Sequence, residues 1–310
     1  MINILFAAKP ANWSAYKAPL RRALDDIGIA YTLTTDTSDP ASIDYLIYAP
    51  SGPVNDFTPF CNAKAVLGLW AGVEGITGNE TLTVPLTRMV DHGLTEGMVE
   101  WVTGHTLRHH LGMDQHILGQ DGEWRGFVPP LARDRSVAVL GLGALGSACA
   151  TALSALNFNV LGWSRREKSI EGVACSFGDD GLDQTLSQAE ILILLLPLTA
   201  GTENLLDSQR LSQMPSGAFI INPGRGPLID DDALLSALET GQIAHATLDV
   251  FRIEPLPADH PYWAHPQVTV TPHIASETRP ASSSRVIAEN IRRSEAGEPL
   301  QHVVDRTAGY

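Results

Sequence analysis

Cysteine, aromatic residues, cations and long apolar runs are all scarce in this chain. The 310 residues include 3 cysteines, only 6% aromatics, and 21 Lys and Arg against 35 Asp and Glu, a formal net charge of −14. Cys61, Cys149 and Cys175 are scattered, with no metal-ligand or redox spacing, so they are expected to be reduced, buried, small apolar residues. The acidic balance repels phosphate backbones and argues against a nucleic-acid partner. A small anionic substrate would therefore need a local positive site set against the overall field. No apolar run approaches the roughly 20 residues of a membrane span, and the longest clear one, 191–196, is far too short. The start of the chain lacks the basic residues and long apolar core of a signal peptide, so a cytoplasmic location is expected. It reads instead as a first strand that ends at Pro10.

What remains is an ordinary globular composition, 44% hydrophobic and 18% charged, in a length that suggests two domains. Strand candidates at residues 2–7, 29–34, 46–49 and 65–70 alternate with helical patterns such as 13–27, which stops at Gly28. A second series follows Pro129-Pro130, with strand candidates at 136–140, 159–163, 191–196, 218–222, 246–250 and 268–271. A helix follows at about 282–296. Strands separated by helices imply parallel sheets, so the expected class is α/β with two doubly wound units. Between the series, 94–118 reads as one long helix carrying His105, His109, His110 and His116. His105 and His109, four apart, could share a face as metal ligands do. Without a Glu between them they are read as structural, and no metal is expected.

Gly141-Leu142-Gly143-Ala144-Leu145-Gly146 follows the strand 137–140 and opens the helix candidate 147–156. One glycine permits the tight turn, one lets backbone approach a pyrophosphate, and one lets helix pack on strand. The helix N-terminus offers unpaired N–H groups to phosphate. The strand–turn–helix context makes this a dinucleotide-binding turn. About 20 residues further on, NAD-binding chains carry an acidic residue for the ribose hydroxyl. Here the segment reads Ser164-Arg165-Arg166-Glu167-Lys168. A hydroxyl and a run of cations suit a phosphate monoester, so the expected cofactor is NADP in its reduced form, NADPH, with NAD possible.

Three later segments each end a strand candidate, where open α/β sheets bind ligands. They carry Arg225 (Asn222-Pro223-Gly224-Arg225-Gly226), Glu254 (after Asp249) and His273 (after Thr271-Pro272). Singly, each would pass for a surface or core residue. Together they match reduction of a 2-oxo acid: Arg anchors carboxylate and carbonyl oxygens, His supplies a proton, and a carboxylate beside that His orients it.

These motifs resemble the D-isomer-specific 2-hydroxyacid dehydrogenase family over essentially the whole chain. Segments 141–146, 222–226, 249–257 and 271–275 match its signatures in order and spacing. Trp163-Ser164-Arg165, Glu254-Pro255-Leu256-Pro257, Thr278-Arg279-Pro280 and the tail from Val304-Asp305-Arg306 to Gly309-Tyr310 resemble its glyoxylate/hydroxypyruvate reductase A subtype, which prefers NADPH. The resemblance implies a flavodoxin-like substrate domain (1–97 with 277–310) and a Rossmann NADP domain (98–276). It implies Arg225 as substrate-binding and polarising group, His273 as general acid/base and Glu254 as its partner. It places the substrate carboxylate on the amides of Ala71-Gly72-Val73 with Tyr48 nearby, and the cofactor along Gly141, Gly143, Ala144, Leu145, Gly146, Ser164, Arg165, Arg166, Lys168, Leu196-Pro197, Pro223-Gly224 and Asp249. The helix at 94–118 resembles the family's dimerisation helix, which implies a homodimer. Two departures stand out: Glu74 where Asp is usual, and Trp70 where a small residue is common. The expected activity is hydride transfer from NADPH to a small 2-oxo acid such as glyoxylate or hydroxypyruvate. The alternatives are an NAD-dependent 2-hydroxyacid dehydrogenase and a non-catalytic dinucleotide sensor like the corepressors on this fold.

Overall fold

The structure is a computed structural model that describes residues 1–309; Tyr310, the last residue of the tail noted above, lies outside the described residues. Contacts divide the chain into two units, Met1–Leu94 with Glu277–Tyr310, and Thr95–Ser276. The elements run β1 (Ile2–Ala7), α1 (Pro10–Asp26), β2 (Tyr31–Thr34), β3 (Tyr45–Tyr48), β4 (Ala65–Gly68), α2 (Glu74–Thr77) and β5 (Leu86–Thr87). Then come α3 (His92–His110), α4 (Met113–Leu118), β6 (Ser136–Leu140), α5 (Ala144–Ala155), β7 (Asn159–Ser164), β8 (Ala174–Phe177), α6 (Gly178–Leu186) and β9 (Ile191–Leu194). The last are α7 (Ser208–Gln213), β10 (Ala218–Asn222), α8 (Asp231–Glu239), β11 (Ile243–Leu248), β12 (Val268–Val270) and α9 (Pro280–Glu295).

The first unit holds a parallel sheet of order β2-β1-β3-β4-β5, the flavodoxin-like winding. Successive residues of its central strands point to opposite faces. Ile4, Phe6, Tyr45, Ile47 and Leu67 pack with Leu20 and Leu24 of α1 and Ile287 and Ile291 of α9. Leu5, Ala7, Leu46, Tyr48 and Val66 pack with Phe57, Val73, Ile76 and Val304. Both faces being covered explains why these strands read as continuous apolar runs rather than as alternation. Pro10 does not close the first strand, which ends at Ala7. It is the first residue of α1, where its missing N–H removes no helical bond.

The second unit holds a parallel sheet of order β12-β11-β10-β9-β6-β7-β8, the Rossmann winding with one added strand. Leu140, Leu192, Leu194, Ile220 and Leu248 meet α6, α7 and α8 on one face. Val137, Val139, Ile191, Ile193 and Ile221 meet Met98 and Val102 of α3 and Cys149 and Leu153 of α5 on the other. Each fully buried aliphatic side chain contributes about 1.5–3 kcal/mol relative to exposure.

Two further expectations need correction. The stretch 94–118 is not one helix: Gly112 adopts φ 61°, its N–H bonds His109 O at 3.2 Å, and α3 ends there before α4 begins. Cys61 is exposed rather than buried, in a turn closed by Ala63 N donating to Phe60 O, whereas Cys149 is buried and its thiol is pushed up to about 12 by burial. Among the described residues no cluster of His, Cys, Asp and Glu is arranged to hold a metal, and no helix is long and apolar enough to cross a membrane. His109 is buried; it stacks on Phe219 at 4.8 Å, its Nε2 lies 2.9 Å from Thr247 Oγ1, and its ring sits 5.3 Å from that of His245.

Candidate active site

In the second unit the carboxyl ends of β6, β7, β9 and β10 bring the dinucleotide segments together. Gly141 N donates to Trp163 O, and Leu195 N to Leu140 O, each at 2.8 Å. The three glycines can now be separated by what a side chain would meet. At Gly141, φ is 101° and a β-carbon would lie 2.5 Å from Leu195 O. At Gly146 it would lie 1.7 Å from Gly141 O, so the first turn of α5 rests directly on the strand end. At Gly143, the N-cap of α5, it would meet nothing within 4 Å. That open ground borders a helix N-terminus with no acidic residue in its first turn, which fits a pyrophosphate held by Ala144, Leu145 and Gly146 N–H groups.

β7 ends at Ser164, which is buried and donates its hydroxyl to Arg166 O at 2.7 Å. That bond closes a tight turn after the strand, and Arg165, Arg166 and Lys168 are exposed along it. Leu196 and Pro197 follow β9 on the strand neighbouring β6, and Thr202 Oγ1 donates to Pro197 O at 2.7 Å. Pro223 and Gly224 follow β10; a β-carbon on Gly224 would lie 2.7 Å from Leu194 O.

The same sheet edge carries the reactive residue types. Asn222 receives the Gly224 N–H at 3.1 Å and donates its amide to Arg225 O at 2.9 Å, clamping the turn that presents Arg225. Gly226 then passes so close to the next loop that a β-carbon would lie 2.1 Å from Phe251 C. In that loop Phe251 N donates to Glu254 Oε1 at 2.9 Å, and Glu254 Oε2 lies 2.7 Å from His273 Nδ1. Glu254 and His273 thus meet, and the Arg225 turn abuts the Glu254 loop. His273 has φ 54°, a left-handed conformation that a non-glycine residue adopts only when its surroundings hold it there. Asp249 does the holding. Its buried carboxylate accepts from Thr271 Oγ1 (2.6 Å), Ile274 N (2.9 Å) and Ala275 N (2.9 Å), and its carbonyl accepts His273 N at 2.9 Å. These bonds aim Asp249 at the His273 loop.

Sequence reasoning did not single out Asn222, Gly226, Phe251 or Thr271 as site residues. For Asn222, Gly226 and Thr271 the available signal was a polar or glycine residue at a strand end beside a reactive one; Phe251 acts through its backbone N–H, which carries no sequence signal.

In the first unit the end of β3 places Tyr48, buried and 5.5 Å from the Phe57 ring, with burial pushing its phenol up. The loop Ala71-Gly72-Val73 follows β4 and leads into α2, with Val73 as its N-cap. Leu69 N donates to Tyr48 O at 2.8 Å, tying the two segments together.

The profile of the D-isomer specific 2-hydroxyacid dehydrogenase NAD-binding domain matches residues 103–275. The chain belongs to the D-isomer specific 2-hydroxyacid dehydrogenase family. This dehydrogenase is 42% identical over 255 residues to glyoxylate/hydroxypyruvate reductase A of Serratia proteamaculans, covering 80% of this chain and 82% of that one. It is similar along its full length to a D-isomer specific 2-hydroxyacid dehydrogenase of Xanthobacter autotrophicus solved with NADPH and MES, with TM-score 0.92, 38% identity and 99% of that chain covered. An NADPH-dependent glyoxylate/hydroxypyruvate reductase of Sinorhizobium meliloti, solved with NADP and sulfate, matches with TM-score 0.89 and 32% identity over 100% of both chains.

Proposed function

We propose that this dehydrogenase is an NADPH-preferring reductase of small 2-oxo acids, with glyoxylate and hydroxypyruvate as substrates. The observation that carries the reading is the 2.7 Å His273–Glu254 pair on a sheet edge whose β7 turn offers Arg165, Arg166 and Lys168. The relatives solved with NADPH or NADP support it. Bound NADPH supplies the hydride. Arg165, Arg166 and Lys168 would hold the ribose phosphate, in a turn that the Ser164 hydroxyl closes; the α5 N-terminus, Leu196-Pro197 and Pro223-Gly224 would line the rest of the cofactor. The substrate carboxylate rests on the amides of Ala71, Gly72 and Val73, beside Tyr48. Arg225 grips and polarises the carbonyl oxygen. His273 Nδ1 is engaged by Glu254, so Nε2 is the nitrogen that delivers the proton to that oxygen. Asp249 acts as the positioning residue for His273.

The protein works in the cytoplasm as a homodimer on this reading. Ile117, Leu118, Trp124, Val128 and Leu131, all largely exposed on and after α4, supply an apolar surface for a second copy. Leu118→Asp together with Leu131→Asp leaves a monomer in sedimentation velocity if this surface is the interface. The reaction is tested by steady-state oxidation of NADPH and NADH side by side across a panel of small 2-oxo acids. Turnover of glyoxylate and hydroxypyruvate with NADPH favoured is expected. Preference for NADH would return the NAD-dependent reading. Cofactor binding without turnover would return the non-catalytic sensor.

A further inference from the structure

We propose that Arg306 is a positioning residue for the substrate loop, locking α2 so that the Ala71-Gly72-Val73 amides stay aimed at the carboxylate. The inference rests on the reading of that loop as the carboxylate site. A helix of four residues has no stability of its own, because its nucleus fixes several residues for one or two bonds. α2 nonetheless sets the orientation of the loop's last peptide, since Val73 O accepts from Ile76 N at 3.0 Å and from Thr77 N at 3.1 Å.

Asn79 and Thr81 tie the segment after α2 to Asn55 and Phe57, and one further side chain reaches the last carbonyl of α2 itself. Arg306 Nε donates to Thr77 O at 3.0 Å, Nη2 to Asn79 O and Nη1 to Leu82 O. These carbonyls end a helical turn and the bends after it, where acceptors lack intrahelical partners and carry partial negative charge. A rigid, permanently charged fork satisfies all three at once, which a flexible ammonium cannot.

The segment bearing Arg306 is itself fixed to the sheet. Val304 N donates to Leu86 O at 2.8 Å, Arg88 N donates to His302 O at 3.0 Å, and Thr87 and Val303 form an antiparallel bridge. Val304 is buried in the same cluster as Val73, Ile76 and Leu82. Asp305 Oδ1 accepts from Thr307 N and Ala308 N, each at 3.0 Å, shaping the turn around Arg306. A continuous path therefore runs from the edge of β5 through Val304 and Arg306 to α2 and the loop. No other part of the proposed mechanism uses this residue.

The test uses full-length Arg306→Ala and Arg306→Lys. With Arg306→Ala, KM for glyoxylate should rise about tenfold, the shift expected when the released loop holds its binding conformation about a tenth of the time. NADPH affinity, read by nucleotide fluorescence, should not change, and kcat at saturating glyoxylate should stay within about threefold. Arg306→Lys should fall between wild type and alanine, and serves as the readable variant if alanine does not fold. Hydrogen exchange over residues 69–82 should speed up in both. An unchanged KM for glyoxylate, or equal losses in glyoxylate KM and NADPH affinity, would overturn the proposal. A separate arm probes the underlying reading: oxalate added to wild type should protect the amides of residues 71–73. Absence of that protection overturns the loop assignment, and with it the substrate role of the clamp, whatever Arg306→Ala does to exchange.

Discussion

Two imidazoles behind the second sheet, His109 buried and His245 half-buried, should make this protein labile to mild acid. Burial first, then the neighbouring charges of His245 and Arg108, holds His109 down to about 3. Burial and Arg108 hold His245 down to about 4, and its Nε2 lies 2.8 Å from Thr269 Oγ1. In the unfolded chain both rings take up a proton near pH ~6.5. Because the folded values lie below the unfolded one, this stability is fully present above pH ~6.5 and is lost as pH falls toward the folded values. Each ring approaches a slope of about 1.4 kcal/mol per pH unit, so the pair removes roughly 4 kcal/mol between about pH 6.5 and 4.5. That is a large part of the roughly 5–15 kcal/mol that holds a typical domain. The check is urea unfolding, followed by tryptophan fluorescence, across that window for wild type and for His109→Phe with His245→Gln. The phenyl ring keeps the stack on Phe219 but leaves Thr247 Oγ1 without this partner, so the variant should start about 1–3 kcal/mol less stable at neutral pH. It should then close the gap as the solution is acidified. A variant whose stability falls with pH as steeply as that of wild type would refute the reasoning.

The other predictions concern the candidate active site. His273→Ala should lower kcat by about 100-fold or more, as loss of a general acid does, and stopped-flow NADPH oxidation reads it directly. Arg165→Ala with Arg166→Ala should raise KM for NADPH at least about tenfold while moving KM for NADH much less; equal effects would argue against a ribose-phosphate role. Gly226→Ala forces a β-carbon to 2.1 Å from Phe251 C, so backbone must shift there. Both thermal stability and kcat should fall, and calorimetry beside the steady-state assay separates the two losses.

Much of the fold and of the candidate site could be read because the signals are local. The glycine turn, the apolar strands and the Arg, Glu and His at strand ends each lie within a few neighbouring residues. The losses have physical causes. β5 has only two residues, and β8 is an edge strand whose four residues are exposed or half-buried, so neither shows an apolar run. α3 ends because of one left-handed glycine inside a pattern that stays apolar on both sides. Asp249 reads as a cofactor neighbour by resemblance, yet its hydrogen bonds reach 22–26 residues ahead to backbone and a threonine. Such bonds leave no periodicity to find. Arg306 is harder still, because its partners are carbonyls more than 220 residues earlier, and carbonyls carry no sequence identity.

The bare contact between Gly226 and Phe251 bears on anyone who would redesign this enzyme. Main chain touches main chain there, with no interposed atoms that a mutant library could trim or enlarge. Any side chain added at position 226 must therefore push the guanidinium-bearing turn and the carboxylate-bearing loop apart, and because glycine is already the smallest residue no substitution there can bring them closer.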